Sequence, residues 1–364
     1  MIKRKVRVAV AMSGGVDSST AAALLQEEGY EVVGLTMHLW DPTADGRGTF
    51  GRCCAPEDIQ DARRVCDQIG IPHYVINLRA AFEKEVVDYF VAEYLQGLTP
   101  NPCILCNDRI KFHYLLRKAE ELEAQALATG HYARIQWDPQ LSTYRLRRGL
   151  DRHKDQSYFL FSLTQEQLRK ILFPLGDRSK TDVRKKASSL GLRVATKSES
   201  QEICFIPDDD YRNFVESYKG RSLTKPGEIV NRQGKAIGVH RGIYAYTIGQ
   251  RRGLGIAAPH PHYVLGFDLE KNHVIVGRNE ELFSGGFIAK RVNWISLPQP
   301  GEKMEATVQI RYRHPGTPAV LSLLGEGRVG IDLHPPQRAV TPGQAAVFYR
   351  GDEVLGGGWI EKTL

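Results

Sequence analysis

The chain has 364 residues, of which 42% are hydrophobic and 25% are charged, as in an ordinary globular protein. This length favours two or three domains over a single core. No apolar run comes near the roughly eighteen residues that a membrane span needs, and no signal-peptide region follows Met1–Lys5. Membrane-embedded and exported classes are therefore disfavoured. The formal net charge of +7 suits a polyanionic partner, although it would equally serve solubility.

The first predicted strand, Val6–Met12, leads into Ser13–Ser19, which has the sequence SGGVDSS. A helix is predicted directly after it, over Thr20–Glu28, with Gly29 as its stop. A glycine turn between a strand and a helix places backbone N–H groups and the positive end of the helix dipole at one point, where phosphate binds well. The serines add hydroxyl donors, and Asp17 is predicted to hold Mg²⁺ or to orient the loop. The alternative is an ordinary strand-to-helix turn.

This loop lacks the Gly-x-x-x-x-Gly-Lys-Ser/Thr pattern of loops that serve γ-phosphate cleavage. It resembles instead the pyrophosphatase loop, or PP-loop, of enzymes that split ATP into AMP and pyrophosphate. ATP is therefore the expected cofactor, and its inner phosphates are expected against the two glycines.

Up to about residue 205 the sequence alternates strand-like and helical segments. Strands are predicted at 31–39, at 73–78 and towards 126–131, and a helix with one apolar face opens at Pro56. The alternation predicts an α/β domain with a doubly wound, mostly parallel sheet, whose ligand site lies beyond the carboxyl ends of the strands.

After Pro207 the chain is rich in glycine and proline, with short alternating runs. This pattern predicts two small β-barrel-like domains. The predicted organisation is a PP-loop catalytic domain over 1–205, a central small β-rich domain over 206–282 and a C-terminal β-barrel domain over 283–364.

Six cysteines are too few, over this length, for a fold built on disulfides. They predict reactive, metal-binding or buried thiols in a reducing compartment, which we take to be the cytoplasm. Cys66 lies on the apolar face of the predicted helix and is expected in the core. Cys53 and Cys54 are expected in a loop or in packing, with a role in the site as the alternative.

A C-x₂-C pair is formed by Cys103 and Cys106, and Cys204 follows about a hundred residues later. Asn101 can cap a helix whose first residue is Pro102. Both thiols of the pair are therefore expected on one face of the first turn of that helix.

The dipole of this helix, with Arg109 and Lys111 nearby, favours the thiolate form of the pair. Thiolates attack electrophiles, carry sulfur as a persulfide, or bind soft metals. The alternative is a redox-active or incidental pair.

Taken together, these features closely resemble the bacterial tRNA-specific 2-thiouridylase (tRNA-uridine 2-sulfurtransferase) family of the PP-loop ATP pyrophosphatase superfamily, nearly from end to end. The blocks that carry the resemblance are Ser13–Ser19, Thr99–Pro102, Cys106–Asn107, Ile110–Phe112, Gly130–Ala133, Lys154–Leu160, Glu202–Ile206, Tyr246–Gly255, Arg311–Arg313 and Pro342–Ala345. The resemblance implies an adenine nucleotide alpha hydrolase-like fold and 2-thiolation of the wobble uridine in tRNAs for Lys, Glu and Gln.

The resemblance also implies a reaction scheme. AMP is transferred to the C2 oxygen of uracil while pyrophosphate departs, and a sulfur nucleophile then displaces AMP. In this scheme Cys106 is the catalytic nucleophile, and Cys204 carries a persulfide that can close as a disulfide with its partner. A cysteine desulfurase or a sulfur-relay protein is the implied sulfur donor.

The resemblance assigns further residues to ligands. ATP contacts are implied for Ala11, Met12, Ser13, Gly14, Gly15, Val16, Asp17, Ser18, Met37 and Gly130. Contacts with the target base are implied for Asn101, Pro102 and Cys103. Other tRNA contacts are implied for His131, Lys154, Asp155, Gln156, Arg311, Tyr312 and Gln344.

One position departs from the family pattern, because many members have an aspartate where this chain has Cys103. A cysteine cannot replace that aspartate as an acid/base group, but it supplies a third thiolate beside Cys106 and Cys204. Three thiolates and an open fourth position suit a [4Fe–4S] cluster that holds a sulfide on its free iron. Two sulfur routes therefore stay open, the cluster, which the extra cysteine favours slightly, and the persulfide.

Basic residues form two groups that are candidates for tRNA phosphate contacts, with a solvated surface as the alternative. They are Arg145, Arg147, Arg148, Arg152 and Lys154, and then Lys180, Arg184, Lys185, Lys186, Arg193 and Lys197. Tyr132 and Tyr158 are candidates for stacking on a flipped base or for the core. Gly249–Gly253 is a candidate for a loop that orders when tRNA binds.

Two rival classes stay open. One is another enzyme that converts ATP to AMP, such as an amidotransferase-type synthetase or a tRNA lysidine synthetase, which would need no paired cysteines. The other is a nucleic-acid-binding protein that uses ATP as a structural ligand.

Overall fold

A computed structural model describes residues 6–39, 56–198, 203–206, 210–219, 225–296 and 301–364. The chain forms two compact units. Unit 1 comprises Met1–Val86, Cys103–Asp209 and Asp352–Val354, and unit 2 comprises Val87–Pro102, Asp210–Gly351 and Leu355–Leu364. We retain the division into three domains at 205 and 282 as a proposal.

The described strands and helices have the following bounds. The strands are β1 (Arg7–Ala11), β2 (Glu31–His38), β3 (His73–Asn77), β4 (Ala126–Ala128), β5 (Ala133–Asp138), β6 (Thr143–Arg148), β7 (Ile171–Leu172), β8 (Gly227–Asn231), β9 (Ala236–His240), β10 (Tyr263–Asp268), β11 (His273–Gly277), β12 (Phe283–Trp294), β13 (Lys303–Gln309), β14 (Thr317–Gly325), β15 (Arg328–Arg338), β16 (Ala345–Arg350) and β17 (Glu353–Thr363). The α-helices are α1 (Val16–Glu27), α2 (Pro56–Ile69), α3 (Arg79–Phe82), α4 (Asp88–Leu95), α5 (Pro102–Leu105), α6 (Leu116–Glu121), α7 (Gln165–Arg169), α8 (Lys180–Ser189) and α9 (Tyr211–Lys219). Two π-helices span Glu83–Val87 and Cys106–Leu115, and 3₁₀ turns span Ser157–Leu160, Arg193–Thr196, Ile243–Ala245 and Asn279–Leu282.

Unit 1 is built on a five-stranded sheet in the order β3-β2-β1-β4-β7. Its neighbouring strands are parallel, with Val8 opposite Val32 on one side of β1 and Val10 opposite Ala128 on the other. Non-consecutive neighbours require crossover connections, which helices supply. The predicted α/β class with a parallel sheet is confirmed.

Helix packing closes the core of unit 1. Val8 and Val10 of β1 are fully buried and contact a core cluster with Ala21 and Leu24 of α1. Helix α2 buries one face, on which Cys66 is fully buried, as the apolar spacing predicted. Burial of apolar surface stabilises a fold by about 25 cal/mol per Å² removed from water. The buried side chains of β1 and α1 therefore hold the end of the strand against the start of the helix.

A β-hairpin of unit 1, formed by β5 and β6, lies outside the parallel sheet and was not predicted from the sequence. Glu353 and Val354 pair antiparallel with Arg147 and Leu146 of β6. The hairpin therefore gains a third strand from a segment about two hundred positions away in sequence.

Unit 2 contains two β structures, as predicted after Pro207. One is a four-stranded sheet in the order β10-β11-β8-β9, with a core cluster that includes Leu254 and Val264. The other is a closed barrel of six strands in the order β12-β15-β14-β13-β16-β17, which the pairing of β12 with β17 completes. Among the described residues, no helix has the length and apolar character to cross a membrane.

Candidate active site

The glycine turn lies between β1 and α1 at the carboxyl end of the central strand. Helix α1 begins at Val16, four positions before the predicted start, so Asp17 and Ser18 lie in its first turn. Ser18 Oγ accepts a hydrogen bond from the Ser13 amide at 3.1 Å, and Ser19 Oγ donates one to the Gly15 carbonyl at 2.8 Å. The serine hydroxyls therefore hold the turn in shape.

The start of α1 is suited to an anion. Gly15 occupies its N-cap position in extended conformation, and no described side chain caps the helix. Amide groups at an uncapped N-terminus and the helix dipole together favour a phosphate or carboxylate ligand. This geometry agrees with the predicted phosphate cradle.

Two glycines of the site are required by space, and Gly14 is required by conformation as well. Gly14 has a φ of +70°, and a Cβ atom there would lie 2.3 Å from the Asp58 carbonyl oxygen. Gly130 follows β4, and a Cβ atom there would lie 2.8 Å from the Ser18 amide nitrogen. A side chain at either position would displace the glycine turn. The absence of a side chain at Gly130 therefore allows the end of β4 to lie close to the turn.

The Asp17 carboxylate contacts two side chains that were not predicted from the sequence as its partners. Lys180 Nζ lies 2.8 Å from each of its carboxylate oxygens, and the Tyr132 hydroxyl donates to Asp17 Oδ1 at 2.8 Å. Lys180 is the first residue of α8 and is 8% exposed. These contacts agree with a role of Asp17 in orienting the loop, one of its two predicted roles.

Magnesium, the other predicted role of Asp17, is compatible with this arrangement. Asp17 offers a carboxylate that is 31% exposed at the glycine turn. Mg²⁺ commonly binds through one or two carboxylates together with the phosphates of its nucleotide. Asp17 therefore fits Mg²⁺ that is bound mainly by the triphosphate.

Lys197 makes a second, unpredicted link to the turn. Its ammonium donates to the Gly14 carbonyl at 3.1 Å and contacts carboxylate oxygens of Asp58 and Asp61 at 2.7 Å. Burial opposes the charge, but the hydrogen bonds to the two aspartates outweigh it and raise the pKa of Lys197. Lys197 was predicted only as part of a basic surface group.

The predicted helix at the cysteine pair is confirmed, since α5 begins at Pro102. It continues as the π-helix Cys106–Leu115. Cys103 is exposed and Cys106 is half-buried. Wide helical turns of this kind occur frequently at functional sites.

The polar neighbours of Cys106 are engaged with one another. Asn107 is buried and donates to the Phe159 carbonyl at 3.3 Å, while its Oδ1 accepts from Lys111 at 2.9 Å. Arg109 lies 3.2 Å from the carboxylate of Asp108. The charge of Arg109, which we expected beside the thiols, is therefore compensated by its neighbour.

Cys204 lies in the short described segment Ile203–Ile206 and is half-buried. Phe205 and Ile206 are buried, and the Phe205 ring packs edge-on against Phe82 at 5.6 Å between centroids. These two apolar side chains fix the segment that carries Cys204 to the core of unit 1.

The three cysteines proposed as cluster ligands do not form a metal-binding group. Nowhere in the described parts of the chain do three His, Cys, Asp or Glu side chains meet in a way that could hold a metal ion. Cys103, Cys106 and Cys204 all belong to those parts, so they do not converge on one metal ion in this conformation, and the [4Fe–4S] cluster stays a prediction. Cys53 and Cys54 lie outside the described residues.

Cys66 is a core residue, as expected. It is fully buried in α2, and a Cβ atom on Gly34 of β2 would lie 2.6 Å from its sulfur. Burial, together with the charge of Asp67, raises the pKa of the Cys66 thiol to about 12.

His131 is 8% exposed and packs between the rings of Phe112 and Phe173. Its Nδ1 lies 2.7 Å from the Thr129 hydroxyl. Burial, with the nearby charge of Lys111, lowers the pKa of His131 well below its usual value. The contact of His131 with tRNA remains a prediction.

The other implied residues of this region have structural partners. Asp155 is buried, accepts from the Gly149 and Ser157 amides and pairs with Arg148 at 2.9 Å. Gln156 Oε1 accepts from the Tyr132 amide at 3.0 Å. Lys154 is half-buried, and its contact with tRNA also remains a prediction.

Of the two interpretations of Tyr132 and Tyr158, the structure agrees with the core. Tyr132 is 2% exposed and Tyr158 is 1% exposed. Neither ring is available to stack on a base in this conformation. The hypothesis that they stack is therefore replaced by a packing role.

The first predicted basic group is largely neutralised. Arg145 pairs with Asp138 and Glu353, and Arg147 pairs with Asp352. The sequence alone did not predict these ion pairs, because the partners are far apart in the chain; Asp352 lies 205 positions from Arg147. The arginines tie the β5–β6 hairpin to its third strand rather than forming an open cationic surface.

The remaining implied residues have these positions. Met37 is buried near the end of β2 in unit 1. In unit 2, Asn101 is half-buried and Pro102 is buried, while Gln344 Nε2 donates to the Thr99 carbonyl at 2.8 Å. Arg311 is exposed in unit 2, and Tyr312 is half-buried.

A parallel α/β sheet with this serine-rich glycine turn after its first strand defines a PP-loop domain. The family models that match the chain are described as a tRNA methyl transferase HUP domain over residues 6–208, a tRNA methyl transferase PRC-barrel domain over 212–278 and an aminomethyltransferase beta-barrel domain over 284–360. These three models cover nearly the whole chain.

Relatives named tRNA-specific 2-thiouridylase MnmA match this chain along its full length. That of Geobacter metallireducens is 54% identical and covers 100% of this chain and 98% of its own. That of Carboxydothermus hydrogenoformans is 52% identical and covers 100% of both. The chain therefore belongs to the tRNA-specific 2-thiouridylase family, and it is a tRNA sulfurtransferase.

Among solved structures, a 4-thiouridine synthetase–RNA complex with bound ATP matches with a TM-score of 0.36 and 18% identity, covering 60% of this chain and 51% of that one. NMN synthetase from Francisella tularensis matches with a TM-score of 0.34 and 18% identity, covering 59% and 77%. Likeness at this level carries no argument about activity.

Proposed function

We propose that the chain uses ATP to 2-thiolate the wobble uridine of tRNAs for Lys, Glu and Gln, yielding 2-thiouridine, AMP and pyrophosphate. The observation that carries this proposal is the glycine turn of unit 1, whose uncapped helix start and supporting lysines suit the inner phosphates of ATP. The same unit contains Cys106 and Cys204. The proposed compartment is the reducing cytoplasm.

In the first step, the C2 oxygen of the uracil attacks the α-phosphorus of ATP, and the bond to pyrophosphate breaks. The leaving pyrophosphate is stabilised by the amides from Ser13 to Ser18 and by the helix dipole. Met37 and Gly130 are proposed to contact the adenosine, with Ala11 and Met12 beside them. Mg²⁺ held by Asp17 and the phosphates would supply charge neutralisation when it is bound.

In the second step, sulfur replaces the adenylated oxygen. The terminal sulfur of a persulfide on Cys204 attacks C2, and AMP leaves. The Cys106 thiolate then attacks Cys204 Sγ, which breaks the S–S bond, releases 2-thiouridine and leaves a Cys106–Cys204 disulfide. A thiol reductant restores both thiols, and a cysteine desulfurase or sulfur-relay protein reloads Cys204.

We propose the persulfide as the sulfur carrier, because it needs only Cys106 and Cys204, and the cluster is its alternative. The exposed Cys103 is then a target-base contact, together with Asn101 and Pro102. Cys103→Ala separates the routes. A colourless, anaerobically purified variant that keeps its activity supports the persulfide, whereas a brown wild-type protein whose activity needs Cys103 would restore the cluster.

Contacts with the body of the tRNA are proposed for residues of both units. They are His131, Lys154, Asp155, Gln156, Arg311, Tyr312 and Gln344. His131 and Asp155 are buried in the structure, so their contact with tRNA requires a local rearrangement.

The overall reaction is tested by incubating the protein anaerobically with ATP, Mg²⁺, a cysteine desulfurase with cysteine as the persulfide donor, a thiol reductant and an unmodified tRNA transcript that has uridine at the wobble position. Mass spectrometry of the nucleosides and mapping of nuclease fragments should place 2-thiouridine at that position, with equal amounts of AMP and pyrophosphate. ADP as the nucleotide product, or thiolation elsewhere in the tRNA, would contradict the proposal.

A further inference from the structure

Unit 2 carries a groove that the roles proposed above do not use. Two surface cavities of about 640 Å³ and about 320 Å³ share His260 in their walls. Arg251 and His262 line the first cavity, whereas Tyr263 and Arg278 line the second. Pro261 also lines both, so the two cavities are adjacent.

The turn that presents Arg251 has a defined conformation. The Gly249 amide donates to the Val264 carbonyl at 2.8 Å, and the Val264 amide donates to the Gln250 carbonyl at 3.0 Å. The Gln250 side chain donates to the Arg252 carbonyl at 2.9 Å. Leu254 is buried in the core of the four-stranded sheet. The turn is therefore anchored at both ends, and it leaves Arg251 and Arg252 exposed.

The groove continues towards Arg311, one of the proposed tRNA contacts. Arg338 lies over the Tyr263 ring at 5.3 Å from its centroid and donates to Asn279, which also lines the second cavity, at 3.0 Å. Arg311 Nη1 in turn donates to the Arg338 carbonyl at 3.4 Å. All these residues belong to unit 2.

The groove carries a net positive charge, because arginines outnumber carboxylates in its walls. Two arginines, Arg251 and Arg278, line the cavities, and Arg252, Arg311 and Arg338 lie near them. Across the residues that the structure describes, no carboxylate forms an ion pair with any of these five guanidinium groups. Glu280 is the acidic residue in the cavity walls. In contrast, the arginines of β6 in unit 1 are paired with aspartate or glutamate.

We infer that this groove binds the sugar-phosphate backbone of the tRNA substrate, with Arg251 and Arg252 as phosphate ligands. Guanidinium groups match phosphate oxygens in geometry, and those without a carboxylate partner need not break an ion pair when they bind. A row of them extending from Arg311 suits a polyanionic chain better than a single small phosphate. This inference rests on the proposed function.

The double variant R251Q/R252Q tests the groove. The control K235Q/K303Q removes the same charge from two exposed residues of unit 2 that line neither cavity. Affinity of the full chain for an unmodified tRNA transcript is measured by filter binding between about 50 and 200 mM KCl. We expect the groove variant to bind roughly tenfold more weakly at about 100 mM KCl, with a salt slope shallower by about 1 to 2.

A groove variant that binds and depends on salt as the control does would overturn the inference. Thiolation by the wild type is measured in the same samples. Failure of the wild type to thiolate any uridine contradicts the proposed function whatever the binding result, whereas unchanged binding with normal thiolation contradicts only the groove.

Discussion

Lys180 Nζ contacts both carboxylate oxygens of Asp17 at 2.8 Å, so the first residue of α8 fixes an acidic residue in the first turn of α1. The two residues are 163 positions apart in sequence. This ion pair, with the Tyr132 hydroxyl, sets the orientation of the one carboxylate in the glycine turn. Removal of the Lys180–Asp17 ion pair should reduce the rate of ATP use more than the stability of the fold.

Lys180→Met is expected to reduce tRNA-dependent pyrophosphate release by roughly tenfold or more, since loss of a charged hydrogen-bond partner of this kind is worth about 1.5–3 kcal/mol. The matched control is Lys186→Met, on the same helix, whose partner Glu27 forms a more exposed pair at 2.7 Å. Exposed pairs contribute about 0–1 kcal/mol. Equal pyrophosphate release by the two variants would show that the Lys180–Asp17 pair does not serve the nucleotide site.

Gly14→Ala should destabilise the protein and abolish ATP binding. The new Cβ would meet the Asp58 carbonyl oxygen at 2.3 Å, in addition to the cost of a φ of +70° for a residue other than glycine. Gly29→Ala is the control, because Gly29 has a φ of +90° but a Cβ atom there would have no described atom within 4 Å. The control should lose only about 1–2 kcal/mol of stability. Thermal unfolding and calorimetric ATP binding compare them, and similar losses in both variants would disprove the steric argument.

His131 should make the stability depend on pH. Its pKa in the folded state is lowered well below 6.5, so the unfolded state binds more protons as the pH falls through about 6.5. Stability contributed by neutral His131 is thus present above that pH and lost on acidification, at up to about 1.4 kcal/mol per pH unit.

His131→Asn should flatten the fall in unfolding free energy between about pH 6.5 and 5. The substitution should not abolish the pH dependence of the unfolding free energy, because burial also lowers the pKa of His73, His240 and His314. Denaturant titrations at several pH values measure the slope. An unchanged slope would mean that His131 binds its proton as readily in the folded protein as in the unfolded chain, which would contradict the lowered pKa.

Cys66 should resist alkylation in the folded protein. Its thiol is fully buried and its pKa is raised to about 12, so little thiolate reaches iodoacetamide at about pH 8. Mass spectrometry of tryptic peptides should show modification of the exposed Cys103 and protection of Cys66, with protection lost in urea. Modification of Cys66 at the rate of Cys103 would place it outside the core.

Local sequence patterns predicted the parts of the fold that depend on local physics. The strand, glycine turn and helix at Ser13–Ser19 follow from backbone conformation and apolar spacing, as does the buried face of α2 with Cys66. The sequence pattern places the start of α1 too late, because serines are typical of loops. In the structure, their hydroxyls close hydrogen bonds within the first helical turn.

Contacts between distant segments could not be predicted in this way. The pairing of β6 with Glu353 and Val354 and the ion pairs of Arg145 and Arg147 join segments with no shared local pattern. For the same reason the sequence does not distinguish Lys197 from surface cations, although Lys197 donates to Gly14 and two aspartates. A run of basic residues does not show which charges are already paired.

The most direct test of the central claim is nucleoside mass spectrometry of an unmodified tRNA transcript after anaerobic incubation with ATP, a sulfur donor and Cys106→Ser. Cys103→Ser serves as the matched variant on the same helix. We expect Cys106→Ser to form no 2-thiouridine while its tRNA affinity stays within about twofold of the wild type, and Cys103→Ser to retain product. Wild-type levels of 2-thiouridine from Cys106→Ser would contradict the assignment of Cys106 as the catalytic nucleophile.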